Sequence, residues 1–450
     1  MDKIEQKICE IIESKKDEII AFGRDIFCHA ELGFKEKRTS GRFVEEMEKL
    51  GMKPETGYAI TGVKSYLKPK GSAEGPTLAV IGEMDALPIP NHPDAWSETG
   101  ASHCCGHNAQ LTGVVGAAMA LADPEVAAAM GGNLCFMAVP AEEYVDVEYR
   151  TGLMKEGKIR YGGGKCELIR VGAFDDVDIA LGHHSMPGMD FGLYNGSSNG
   201  FVNKTVTFTG RSAHAAAAPH EGVDALNAAT TAMVNIALQQ ESFRDEDTVR
   251  VHGFISAGGT AVNVIADHVT MEYSVRGKTA EAFKDASMKV DRALKAAAMA
   301  TGCGVTIETM SGYMSNVVNP HTEVLESVLD DIAAEGKYTN RRDLLEHSTG
   351  SDDFGDVATL MPLVHFATGG YVGSLHNPGI RVEDEYLAYV VTAKIFALTA
   401  YRLMKDGAAK AKENIADYKP NMTKEEYLAY MESMLTTEVV EPTPLPIVGK

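Results

Sequence analysis

Three short apolar runs, each ending in ionisable residues, constrain this chain more than any other feature. Thr77-Leu78-Ala79-Val80-Ile81-Gly82 leads into Glu83-Met84-Asp85-Ala86-Leu87-Pro88, and Leu134-Cys135-Phe136-Met137-Ala138-Val139 into Pro140-Ala141-Glu142-Glu143. The third, Asp178-Ile179-Ala180-Leu181-Gly182, leads into His183-His184. Unbroken apolar runs of this length suit strands covered on both faces. Chemistry gathered where such strands end is the layout of an open α/β sheet whose site lies beyond the carboxyl ends of its strands.

Between the first two runs lies His103-Cys104-Cys105-Gly106-His107-Asn108-Ala109-Gln110. A thiol and an imidazole two positions apart, at a glycine turn before a predicted helix (about 108–122), can address one metal ion. Alone this is half a site. Glu143, His184 and His376, the last in Ser374-Leu375-His376-Asn377-Pro378, raise the candidate ligands to five with Cys105 and His107. Five ligands exceed the needs of one tetrahedral ion and suit a pair of ions. Glu142 ends an apolar strand beside a ligand, which marks it as a candidate general base rather than surface charge.

The rest of the chain supplies a frame. Residues 2–22 carry isoleucines at three- and four-residue steps and predict an amphipathic helix; a second is predicted from Thr39 to Leu50. The stretch 145–165 is expected to be a long glycine-rich loop near the site. From about 197 the pattern changes to alternating strands and intervening helices in the order β-α-β-β-α-β, which predicts a ferredoxin-like insertion. Apolar strand character returns at Pro362–Phe366, a long helix is predicted over 383–405, and a capping box at Thr423 begins a last helix before a proline-rich tail.

Composition narrows the function classes. A net charge of −21 disfavours nucleic acid and anionic membrane surfaces as partners. No basic, apolar leader stands at the N-terminus. No apolar run approaches the roughly 20 residues of a spanning helix. Seven scattered cysteines fit free thiols. The expected location is the cytoplasm.

The ordered blocks His29-Ala30-Glu31-Leu32-Gly33, Met84–Pro88, Cys105-Gly106-His107, Pro140–Glu143, the His184 turn, Gly350-Ser351-Asp352-Asp353-Phe354 and His376-Asn377-Pro378 resemble those of the di-metal amidohydrolases and peptidases of family M-20. The family holds aminoacylases, indole-acetyl-amino-acid hydrolases and aminobenzoyl-glutamate hydrolase. The resemblance implies an α/β di-zinc exopeptidase-like catalytic domain (1–196 and 313–410), an inserted lid or dimerisation domain (197–312) and a C-terminal helix and tail (411–450). It implies two divalent ions, Mn or Zn, on Cys105, His107, Glu143, His184 and His376. Glu142 is then the general base for a metal-activated water and Asp85 a carboxylate that orients a ligand. It further implies that His214 and Asn263 stabilise an oxyanion, that Arg276 clamps a substrate carboxylate, and that the chain forms a homodimer through the insertion.

The implied reaction is amide hydrolysis of N-acyl or N-aroyl amino acids or dipeptide-like substrates. A deaminase or carbamoylase-type hydrolase on the same centre, or a silent binding protein of this fold, stand as alternatives. Asn108 and Gln110 depart from the usual Cys-Gly-His-Asp-x-His. Together with the 145–165 stretch, Asn108 is where substrate preference is expected to reside.

Overall fold

The computed structural model describes residues 1–342 and 346–443. It divides into two compact units: Met1–Gly196 with Val317–Glu346 and Asp352–Thr423, and Ser197–Asn316 with His347–Ser351 and the segment from Lys424.

Among the described residues, the first unit is built on an eight-stranded sheet. Across it run Glu55–Tyr58, Gly62–Tyr66, Asn133–Val139, Thr77–Glu83, Ile179–Ser185, Leu363–Thr368, Phe191–Leu193 and Asn340–Arg341. The four middle strands are mutually parallel. All four expected apolar runs are among them, and each is almost wholly buried, which is why they lack alternation. Parallel order places their carboxyl ends on one edge.

Two helices press together beneath that edge. His107–Leu121 is buried along nearly its whole length and packs on Thr392–Asp417. Glycine permits the approach: a Cβ on Gly116 would lie 2.7 Å from the Ala393 Cβ. The second helix, with the π-helical turn Tyr386–Val391 before it, is long and apolar enough to cross a membrane by length and composition, but its apolar window is buried in the core of this unit. Its predicted end near 405 coincides with a break, where Lys405–Ala408 leave helical geometry before the helix resumes to Asp417.

Two expectations are corrected. The single N-terminal helix is two, Lys3–Ser14 and Lys16–Cys28, because the chain turns at Lys15. The 145–165 stretch is not a loop throughout: it carries the helix Val147–Lys155 and the start of Gly164–Arg170. The organiser is Arg150, 1% exposed. Its guanidinium donates to the carbonyls of Val145 (2.6 Å), Ala141 (3.3 Å), Glu143 and Gly162.

The second unit contains the expected β-α-β-β-α-β order: Gly200–Thr209, Ala225–Ala237, Arg250–Gly258, His268–Gly277, Ala280–Thr301 and Gly304–Ser311. Its sheet is antiparallel and has a fifth strand, Thr436–Val440, paired with Gly304–Ser311. The helix Lys424–Ser433 joins this unit as well, burying Tyr427 and Met431. The stretch expected as a separate C-terminal part is therefore shared between the two units; the residues beyond 443 lie outside those described. His347–Ser348 also belongs here, paired with Ser197–Ser198.

Candidate metal centre

The carboxyl edge of the parallel strands collects the predicted ligands. Cys105 and His107 flank Gly106, whose φ of 82° turns the chain into the helix that His107 begins. Glu142 and Glu143 follow the strand Asn133–Val139, and His184 lies near the end of Ile179–Ser185. His376 sits in a turn with φ 57°, its N–H donating to the Cys104 carbonyl at 2.8 Å.

The side chains form two neighbouring groups. One ligand atom from each of Cys105, Glu143 and His376 lies within 4.8 Å of the others, and the same holds for Glu83, His107 and Glu142. His376 Nε2 stands 3.1 Å from Glu143 Oε1, and Cys105 Sγ 4.0 Å from His184 Nε2. His183 points the opposite way, as alternate residues of a strand do, and meets the Thr368 hydroxyl at 2.6 Å.

Asp85 braces two of these residues. Its side chain accepts from His107 Nδ1 (3.2 Å) and from the Glu143 backbone N–H (2.8 Å), while its own carbonyl lies 2.9 Å from His107 Nδ1. His184 Nδ1 donates to the Ser185 carbonyl at 2.8 Å. In both imidazoles this engages Nδ1 and leaves Nε2 as the ring atom turned toward a ligand.

The electrostatics are those of a place that wants a cation. Burial alone would lower the His107 pKa, but Glu83 and Asp85 push it up to about 10. Burial together with Glu83 and Glu143 drives the Glu142 carboxyl well above its ordinary value. Burial and the surrounding carboxylates likewise raise the Cys105 thiol. His107 Nε2, buried and without a hydrogen bond among the described residues, faces Glu83 Oε2 at 3.1 Å and Glu142 Oε2 at 3.6 Å. A thiol, imidazoles and carboxylates gathered around that nitrogen fit divalent metal ions of the Mn and Zn type.

The sequence reading missed Glu83, Lys165 and Asp353. The buried Lys165 ammonium pairs with Glu83 Oε1 and Asp353 Oδ1. Gln110, one of the two departures, donates to Glu83 Oε2 at 2.6 Å. The other, Asn108, is fully buried away from these carboxylates. It donates to the Tyr389 hydroxyl and accepts from the Tyr371 hydroxyl, both at 3.0 Å. The expectation that Asn108 tunes substrate choice finds no support in that geometry, because the side chain is spent within the fold.

The three substrate candidates lie in the second unit. His214 is exposed, and its Nδ1 accepts from the backbone N–H of Ala216 and Ala217. Asn263 is exposed, and its carbonyl accepts from the Ala215 N–H at 2.9 Å. Arg276 is half-buried, donating to the Ser351 hydroxyl at 3.1 Å with its guanidinium 5.1 Å from the Phe201 ring centre.

Comparison with known proteins supports a metal-dependent amidohydrolase. Residues 197–301 match the peptidase dimerisation domain of M20 enzymes. The chain is 29% identical over 417 residues to the mouse Xaa-Arg dipeptidase, covering 89% of each chain. It is 28% identical over 433 residues to the Arabidopsis thaliana IAA-amino acid hydrolase ILR1-like 2, covering 91% of this chain and 90% of that one. Its fold is shared with the YXEP protein of Bacillus subtilis, a dinuclear metal binding peptidase from the M20 family. The TM-score is 0.62 at 22% identity, over 87% of this chain and 99% of that one. These comparisons support an M20 amidohydrolase family.

Proposed function

We propose that the protein hydrolyses the amide bond of N-acyl amino acids or dipeptide-like compounds, with Glu142 as general base. The observation that carries this reading is the position of Glu142, grouped with Glu83 and His107, 3.6 Å from His107 Nε2 and next in sequence to Glu143 of the Cys105–Glu143–His376 group. The relatives named as a dipeptidase and an amino acid hydrolase support the substrate class.

Cys105, His107, Glu143, His184 and His376 would hold two divalent ions. Bound there, the ions supply Lewis acidity that acidifies water and polarises a carbonyl. Glu142 accepts the proton from the attacking water at its carboxylate and returns it to the leaving nitrogen. Asp85 keeps His107 in the Nε2-ligand tautomer and fixes the backbone of Glu143. His214, whose Nδ1 is occupied as an acceptor, carries its proton on Nε2 and presents a donor suited to an oxyanion, with Asn263 beside it. Arg276 offers a guanidinium for a substrate carboxylate.

The dimerisation-domain match supports a homodimer through the second unit, where Met233 and Val234 of the helix Ala225–Ala237, Leu238 just after it and Phe254 of one strand are exposed. Seven free cysteines support a cytoplasmic setting. The donor set admits both Mn and Zn.

The test is Glu142→Gln assayed on a panel of acyl-amino acids and dipeptides, with metal content measured on the same sample. Amine release should fall by at least about 100-fold, the general-base contribution, while metal stays bound. Unchanged turnover overturns the mechanism.

A further inference from the structure

Glu83 ends the strand Thr77–Glu83 and is 2% exposed, yet it lies outside the five ligands proposed above. Its Oε2 stands 3.1 Å from His107 Nε2. Asp85 engages Nδ1 of the same ring, so Nε2 is the ring atom turned toward Glu83. Glu83, His107 and Glu142 each offer one ligand atom within 4.8 Å of the others, a set of donors suited to one divalent ion.

The carboxylate is also aimed. Lys165 holds Oε1, and its backbone N–H donates to Asp353 at 2.7 Å, so that Lys165 is itself fixed. Gln110 donates to Oε2 at 2.6 Å and leaves that oxygen turned toward His107. A carboxylate held on both oxygens has little rotamer freedom left to lose on binding an ion.

We propose that Glu83 is a direct ligand of one of the two ions, shared with His107, and that Gln110 and Lys165 are the positioning residues that aim it. This rests on the metallohydrolase reading and adds a ligand to it. It also gives Gln110 a role, since its amide supports a ligand.

The experiment uses the full-length protein freed of metal and titrated with Co(II), whose thiolate charge-transfer band reports the ion on Cys105. Wild type should take two equivalents. Glu83→Gln should take one, or bind the second at least about 10-fold more weakly, with the thiolate band intact; Cys105→Ser should lose the band. The double variant Glu83→Gln with Lys165→Met removes the buried charge left by the single change and keeps the test valid if the single variant folds poorly. If Glu83 is a ligand, the double variant still lacks one equivalent. If Glu83 only neutralises Lys165, the double variant regains two equivalents at wild-type affinity, and the inference is overturned. A single variant with two equivalents at unchanged affinity overturns it equally. Wild type that takes up no Co(II) sinks the metallohydrolase reading itself, which separates that failure from this one.

Discussion

Single residues at the centre are fixed by contacts that a substitution can test. Gly106 has φ 82°, and a Cβ there would fall 2.4 Å from the Ser185 Cβ. Gly106→Ala therefore meets a left-handed penalty of roughly 1–2 kcal/mol and a collision between the ligands it separates. Its expected outcome is loss of metal uptake with a lower melting temperature, read by elemental analysis and calorimetry. Asp176 gives a pH prediction. Burial would raise its pKa, but Lys64 and the Tyr66 hydroxyl hold it down at about 2. Its folded pKa thus lies below the ordinary 3.8, so its stabilisation is full above that value and lost as pH falls toward 2. Denaturant midpoints of wild type and Asp176→Asn should differ at pH 6 and converge near pH 2.

Elements show what the sequence could and could not reveal. The apolar runs were legible because central parallel strands are buried on both faces, and their ends pointed to Glu142, Glu143 and His184. Glu83 also closes such a strand, but no adjacent candidate ligand marks it, as Glu143 marks Glu142. Its partner Lys165 lies in a glycine-rich stretch more than eighty residues away, and nothing local links them. The helix Val147–Lys155 was hidden because it has no apolar period: only Arg150 and Leu153 are buried in it. Arg150 matters beyond that helix. It helps hold Ala141, whose φ is 57° and whose N–H donates to Glu36 at 2.8 Å, directly before Glu142 and Glu143. Arg150→Met should cost about 1–3 kcal/mol for each buried carbonyl left without its donor. The check is a urea midpoint together with faster amide exchange over 141–163.

At the scale of the molecule, each unit is assembled from segments distant in sequence. The second unit's sheet is completed from the end of the chain, a strand the sequence concealed because Thr436–Val440 is short and half-exposed at a sheet edge. Ending the chain after Thr423 removes that strand and the buried Tyr427 and Met431. At roughly 1.5–3 kcal/mol for each large side chain, this should destabilise the second unit, and scanning calorimetry should show its transition moving to lower temperature. Long-range assembly has one more consequence, for the centre itself. Its ligands lie between residues 83 and 376, so ions held by them tie together strands and turns separated by most of the chain. The centre then acts as a cross-link on folding, as a disulfide would, but one whose strength is set by free metal concentration. At a thousandfold excess over Kd such a tie adds about 4 kcal/mol of stability, and a chelator should release it, loosening the fold at the same edge where the chemistry is carried.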